Sequence, residues 1–152
     1  MNFDQYVEKS NEFLKEVAFE LGIPEDTSRA YRVLDAVFHA IREVLSPEES
    51  LHLISQLPMF LKAVYVNGWH LNHKEKIKTM DEFLHFLRMQ NLRTAREDFN
   101  DDNKTKEKVQ AVIHVLKRHV TTGEIQDVIE QFPMELAELW LTPTHEISGR
   151  TL

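Results

Sequence analysis

Apolar residues recur at intervals of three and four along most of the chain, which is the spacing of a helix with one buried face. Three such stripes stand out, within residues 6–21, 33–45 and 109–120. They comprise Tyr6, Val7, Phe13, Leu14, Val17 and Leu21; Val33, Leu34, Val37, Phe38, Ile41, Val44 and Leu45; and Val109, Val112, Ile113, Leu116 and Val120. With only 4 Gly and 5 Pro, the chain has fewer turn residues than a sheet protein needs. The pattern therefore predicts an all-α fold.

The predicted helices are bounded by local signals. Residues 46–49 and 121–124 each place a hydroxyl residue three positions before a glutamate, which is the pattern of a capping box. Residues 79–82 offer a similar start for the fifth helix. Pro58 and Pro133 lack an amide donor and restrict the residue before them, so we expect each proline to separate two short helices. Each half is thus predicted to hold two longer helices followed by two short ones.

The two halves of the sequence resemble each other. Residues 30–65 align without a gap on residues 105–140, and nine positions are identical. The identical pairs include Ala36/Ala111, His39/His114, Glu49/Glu124, Gln56/Gln131, Pro58/Pro133 and Met59/Met134. Such self-similarity at a fixed period indicates a duplicated structural unit. We therefore predict eight helices in two tandem four-helix repeats, packed about a pseudo-twofold axis.

The length of 152 residues suits one domain. We expect this single duplicated domain to span residues 1–141. Its first repeat covers residues 1–68, a polar linker covers 69–78, and the second repeat covers 79–141. The last residues, 142–152, are polar and include one Pro and one Gly, so we predict a flexible tail.

The chain is acidic, with 18 basic and 25 acidic residues and a formal net charge of −7. Nucleic-acid binding depends on clustered lysine and arginine, so we expect no nucleic-acid partner. The most apolar window, residues 57–66, is short and contains Lys62, and the first residues lack the basic and apolar segments of a signal peptide. Together with the absence of cysteine, these features favour a cytoplasmic protein without a membrane span.

Histidine is the residue type best suited here to bind a metal or to titrate near neutral pH, and the chain has 8. His39 and His114 occupy equivalent repeat positions beside the apolar stripes, and a twofold axis could bring them together. His70 and His73 lie three residues apart in the linker. We interpret all four as structural or solvated histidines, because the sequence contains no His-Glu-x-x-His or similar helical ligand pair. A metal site at either place is the alternative interpretation.

No catalytic constellation is recognisable in the sequence. The glycines stand apart at positions 22, 68, 123 and 149, so a phosphate-binding loop is not expected. Serine and aspartate residues lie in no motif that activates a nucleophile. The adjacent acids Glu48 and Glu49 are explained by the first turn of a helix, where negative charge complements the helix dipole. We therefore expect neither an enzyme nor a bound cofactor.

Aromatic and methionine residues gather around the predicted short helices: Phe60, Tyr65, Trp69, Met134 and Trp140. One interpretation is packing between helices. The other is an exposed apolar surface for a partner or a second copy of the chain. The sequence favours a non-enzymatic protein-interaction or self-association module. The alternative function is a small-molecule or lipid-binding module with a cavity between the repeats.

Several motifs together resemble one known family. They are residues 3–7 (Phe-Asp-Gln-Tyr-Val), residues 46–49 (Ser-Pro-Glu-Glu), Gln56-Leu57-Pro58, Gly68-Trp69, residues 123–128 and residues 131–133. Over residues 1–141 the chain resembles the uncharacterised prokaryotic family filed as domain of unknown function 2267. Phe132, where that family usually has leucine, and the longer polar stretch 100–104 are departures. The resemblance implies a bacterial, helical, duplicated domain without an established activity, and it assigns no functional residue.

Overall fold

A computed structural model describes residues 2–141, and this part of the chain consists of nine α-helices without a strand. The helices are α1 Phe3–Glu20, α2 Thr27–Val44, α3 Pro47–Ile54, α4 Met59–Val66, α5 Met80–Met89, α6 Ala95–Asp98, α7 Asp102–His119, α8 Thr122–Gln131 and α9 Met134–Leu141. The predicted all-α class is confirmed. The flexible tail predicted at 142–152 lies outside the described residues. None of these helices combines the length and apolar composition needed to cross a membrane.

The prediction of eight helices missed α6, a single turn of 4 residues. Its sequence, Ala-Arg-Glu-Asp, has no apolar stripe, so periodicity could not reveal it. Charge holds the turn in place instead. The carboxylate of Asp98, which is only 1% exposed, accepts two hydrogen bonds from Arg32 on α2, at 2.8 and 3.0 Å. Arg29, also on α2, lies 3.3 Å from the same carboxylate.

Helix α2 lies at the centre of the core, with α1, α4, α5 and α7 packed against it. Its predicted stripe is buried from Val33 to Leu45, except for the half-buried Val44. The stripe of α7 is likewise buried. On α1 the prediction was wrong for Val7, which is 45% exposed. Full burial on α1 begins at Ser10, so the first two turns project beyond the helices that cover the rest.

The core is shared between the N-terminal and C-terminal halves. Helix α1 packs on α7, α2 packs on α5 and α7, and α3 packs on α8. The rings of Phe13 and His119 lie 4.8 Å apart, and Arg118 donates a 3.1 Å hydrogen bond to Glu16. Neither half therefore buries its apolar surface by itself.

Prolines separate the short helices as predicted. Helix α3 ends at Ile54 and α4 starts at Met59, directly after Pro58; Pro133 stands in the same way between α8 and α9. The segment that follows α4 is anchored to α2: the amide of Glu75 donates to the Glu43 carboxylate at 2.7 Å, and Lys74 Nζ donates to the Leu45 carbonyl at 3.1 Å.

Candidate functional site

The aromatic and methionine residues of the predicted interaction surface divide into buried and exposed members. Tyr65 and Trp140 are fully buried, so their assignment to a surface was wrong. Tyr65 bonds through its hydroxyl to Ser50 Oγ at 2.6 Å, and the Trp140 ring packs 5.4 Å from the ring of Phe132. Both are core residues because α4 and α9 turn these faces inward. Phe60 and Met134 are exposed, at 43% and 92%.

Trp69 is half-buried just after α4. Its ring stands edge-on to Tyr65 at 6.0 Å, and the Arg42 guanidinium lies 6.0 Å from its centre. Arg42 also donates to the main-chain oxygens of Tyr65 and Asn67, each at 2.7 Å. These contacts give Trp69 a role in closing the end of α4, where Gly68 takes a positive φ of 70°.

Of the four histidines considered as metal ligands, three contact separate partners and the fourth is exposed. His39 Nε2 is 2.9 Å from the Val64 carbonyl and 3.5 Å from the Asp35 carboxylate. His114 faces Glu20 of α1 at 3.9 Å. In the linker, His73 Nε2 lies 2.6 Å from Glu75, and His70 is exposed. Among the described residues, the group of potential ligands that the fold does bring together includes none of these four.

That group consists of Glu49 and His52 on α3 and Glu124 on α8. One carboxylate oxygen from each glutamate and one ring nitrogen of His52 all lie within 4.8 Å of one another. Glu49 and Glu124 are 9% and 8% exposed, whereas His52 faces solvent. The packing of α3 on α8 thus joins an acid from each half of the chain.

Both glutamates occupy the third position of their helix, where the sequence predicts a capping box. Half of each box forms: Ser46 Oγ accepts from the Glu49 amide at 3.1 Å, and Thr121 Oγ1 accepts from the Glu124 amide at 3.3 Å. The other half is wrong, because neither glutamate reaches back. Glutamine oxygens of the opposite half accept from the cap amides instead: Gln131 from Ser46 at 2.9 Å, and Gln56 from Thr121 at 2.7 Å.

Helix α5 shows what a complete box looks like in the same chain. Thr79 Oγ1 accepts from the Glu82 amide, and Glu82 Oε1 accepts from the Thr79 amide, both at 3.1 Å. The Lys78 amide, at 2.8 Å, and then the Thr79 amide donate to Oε1 of Glu82 and hold the pKa of its carboxyl below its usual range. At the starts of α3 and α8, the glutamines satisfy the cap amides, and the carboxylates of Glu49 and Glu124 are left to face each other.

The surroundings of Glu124 disfavour the ionised form of its carboxyl group. Burial, followed by the hydrogen-bonding contact and the negative charge of Glu49, raises the pKa of Glu124 from 4.5 to about 8. Asp127, one turn further along α8, adds to the rise. Two like charges at such close range cannot both ionise without cost. Near neutral pH the pair therefore retains a proton that isolated glutamates would have lost.

The arrangement offers two carboxyl groups and an imidazole at one solvent-reachable point. Such a group can share a proton, or it can bind a cation through two oxygens and one nitrogen. Sequence reasoning explained Glu49 by a capping box and by the helix dipole, and it did not consider His52. The identity of Glu49 with Glu124, and of Gln56 with Gln131, across the two halves was the available signal.

Comparison with known proteins bears on the chain as a whole. A family model described as "Uncharacterized conserved protein (DUF2267)" matches residues 10–139. The chain belongs to the DUF2267 family. The match spans α1 from Ser10 through most of α9, so it includes Glu49, His52 and Glu124. No curated protein matches the chain. Because the DUF2267 family is itself uncharacterised, membership assigns no activity to the carboxylate pair or to the exposed aromatic residues.

Proposed function

We propose that this chain is a non-enzymatic, cytosolic interaction module whose first partner is a second copy of itself. The observation that carries the proposal is an apolar surface where α1 meets the start of α4. Phe3 and Val7 on α1 are 68% and 45% exposed, and Phe60 on α4 is 43% exposed. We call these three residues the α1–α4 patch.

Helical spacing and one hydrogen bond between α1 and α4 place the members of the patch on adjoining elements. Phe3, Val7 and Ser10 follow one another at helical spacings of four and three, so they share one face of α1. Ser10 Oγ accepts a 3.1 Å hydrogen bond from the Phe60 amide, which sets Phe60 at the end of that row. Contiguous exposed apolar side chains are a mark of interaction sites. Of the surface expected from the sequence, this patch contains Phe60 only.

Exposed methionines at the starts of α4 and α9 also support an interaction function. Met134, at the start of α9, is 92% exposed, and Met59, the equivalent residue of α4, is 40% exposed. Methionine is flexible and polarisable, so it adapts to the irregular surface of a partner. Exposing it twice at equivalent positions favours binding over core packing as the reason for its presence.

Sedimentation equilibrium at increasing protein concentration tests self-association. We expect the apparent mass of the wild-type chain to rise toward that of a dimer. Phe60→Ser should raise the dissociation constant about tenfold or more, because truncated aromatic anchors have effects of that size. The control is Leu92→Ser, which replaces a leucine that is 68% exposed outside the patch. A wild-type chain that stays monomeric, or equal effects of both substitutions, would contradict the proposal.

We propose in addition that the two halves pack as tandem repeats about a pseudo-twofold axis. Reciprocal contacts between positions 75 apart support this arrangement. Gln131 accepts from Ser46 as Gln56 accepts from Thr121. Arg42 donates to the Tyr65 carbonyl, and its counterpart Lys117 donates to the Trp140 carbonyl. The extra turn α6 and the shorter α5 are departures from such symmetry.

The alternative function, binding of a small molecule or lipid between the halves, has less support. A cavity between α2 and the α5–α6 segment has a volume of about 150 Å³. Its lining includes Arg32, Asp35 and Asp98, which are poor neighbours for a lipid chain. Pockets for drug-sized ligands have volumes of roughly 300–1,000 Å³. A depression of about 340 Å³ between α2 and the junction of α8 and α9 reaches that range, but it is lined largely by the charged segment 74–78. A ligand co-purifying with the protein, detected by native mass spectrometry, would favour this alternative.

A further inference from the structure

The acids at the α3–α8 interface are buried without sufficient partners. Glu49 and Glu124 are each more than nine-tenths buried. In the part of the chain that the structure describes, no donor reaches Oε2 of either residue. A buried carboxylate oxygen without a hydrogen-bond partner is costly, and each of the two acids has one such oxygen besides the hydrogen-bonding contact that they make with each other. Their position therefore calls for a positively charged or proton-donating ligand.

We propose that Glu49, His52 and Glu124 form a binding site for a divalent transition-metal ion, with Zn²⁺ as the best match. Two carboxylate oxygens and one imidazole nitrogen make the mixed ligand set that zinc accepts, with a fourth position left for water. Magnesium and calcium, in contrast, prefer sites built from oxygen alone. The histidine therefore decides the class of metal.

Helix geometry supports the same assignment. Glu49 and His52 are three residues apart on α3, so both side chains point to the same side of the helix. A Glu-x-x-His pair on one helix, completed by a glutamate from a facing helix, is a known way of building metal sites inside helical bundles. Glu124 provides that facing glutamate from α8. Ser46 and Thr121, capped by glutamines of the opposite halves, fix the two helix starts relative to each other.

Distances require only a local adjustment. Zinc bonds of about 2.0–2.2 Å place tetrahedral ligand atoms about 3.4 Å apart, compared with an upper separation of 4.8 Å in the present cluster. His52 is exposed, so its ring can rotate toward the buried pair without displacing core residues. The same exposure gives an ion a route from solvent to the two carboxylates.

Net charge at the site favours a cation despite the helix dipoles. The starts of α3 and α8 each contribute a partial charge of roughly +0.5, which opposes cation binding. Glu49, Glu124 and the neighbouring Asp127 together contribute three negative charges when ionised. With all three acids ionised the balance is near −2, so a divalent ion that displaces the proton shared by the pair neutralises the site.

Calorimetric titration of the full, tag-free chain with ZnCl₂, after removal of metal by EDTA, tests the site. We expect one Zn²⁺ per chain in the wild-type protein. Glu49→Gln, Glu124→Gln and His52→Gln should each weaken binding at least tenfold, and Co²⁺ should give visible absorption bands that the same substitutions remove. Glu48→Gln is the matched control, since it removes an equal charge from an exposed neighbour on α3.

Absence of Zn²⁺ binding to the wild-type chain, binding that survives Glu124→Gln, or equally tight binding of Mg²⁺ would overturn the proposal. Should a glutamate variant fail to fold, His52→Gln decides the matter, because an exposed side chain is dispensable for folding. Wild-type protein should also melt at a higher temperature with Zn²⁺ present, and His52→Gln should abolish that increase. Substitution of His73, in the linker, should leave it unchanged.

Discussion

At the scale of single residues, folding strongly changes the ionisation of Glu124. Its carboxyl lies 8% exposed beside Glu49, and its pKa in the folded chain is raised from 4.5 to about 8. Once unfolded, the same carboxyl would regain its ordinary pKa. Folding therefore takes up a proton over the range between those two values, and the free energy of unfolding must depend on pH there.

The sign of that dependence follows from the direction of the shift. For a group whose pKa is raised by folding, the stabilisation is fully present below 4.5 and is lost as the pH rises through about 8. Glu124→Gln cannot ionise, so this variant should gain stability over the wild-type chain across that window, by a few kcal/mol at most. Urea denaturation without metal, at several pH values, measures the difference. Glu48→Gln should give a flat difference, and so would Glu124→Gln if the pair were solvated.

The sequence predicted the helix caps beside this site, but it did not predict that the two glutamates meet. Ser46 and Thr121 were recognised as helix caps because a hydroxyl residue before an acidic first turn has a local meaning. The two glutamates do not complete the capping boxes, because Gln131 and Gln56 occupy the cap amides. Gln131 lies 85 positions from Ser46, and Gln56 lies 65 positions from Thr121. Local rules contain no information about contacts of that range, so the pairing of Glu49 with Glu124 emerged only from the fold.

At the scale of helices, length and position follow closely from the apolar stripes and the prolines. The stripes of α2 and α7 are buried as expected, and both prolines stand between short helices. A helix that is held in place by ion pairs could not be predicted from the spacing of apolar residues. Helix α6 is joined to α2 by the ion pairs of Arg29 and Arg32 with Asp98, and a pairing between two distant helices leaves no periodic signal.

The glutamine caps make a testable contribution to helix stability. Gln131→Ala removes the acceptor of the Ser46 amide, and we expect a loss of about 0.5–1.5 kcal/mol in the free energy of unfolding. Gln56→Ala should cost a similar amount at Thr121. Gln126→Ala, another exposed position on α8, serves as the control for helix propensity. Chemical denaturation compares the three variants, and indistinguishable values would mean that water replaces the glutamines.

At the scale of the whole molecule, the fold is defined by contacts between the halves. Phe13 of α1 packs against His119 of α7, and Arg118 of α7 binds Glu16 of α1. Helix α2 lies against α5 and α7. The internal similarity of the sequence predicts a duplicated unit, whereas the degree to which the units interlock could be learned only from their packing.

This interlocking predicts that neither half folds alone. Expressed separately, residues 1–68 and residues 79–141 should each lose most of their helical circular dichroism, because the apolar faces of α1, α2 and α7 would be exposed to water. Mixing the two fragments should restore helicity and a cooperative melt. Either fragment melting cooperatively by itself would show instead that one half contains a sufficient core.

The reciprocal glutamine bonds also carry a consequence for ancestry. Gln56 reaches Thr121 and Gln131 reaches Ser46, so each half lends the same side chain to the same place on the other. Between two separate polypeptides, this would be an isologous contact, in which identical surfaces meet. A single-copy precursor could have made every one of these bonds as a homodimer. Gene fusion would then have replaced an encounter that depends on concentration with a permanent union, whose halves have since diverged at positions such as His52 and Asp127, which lie 75 residues apart.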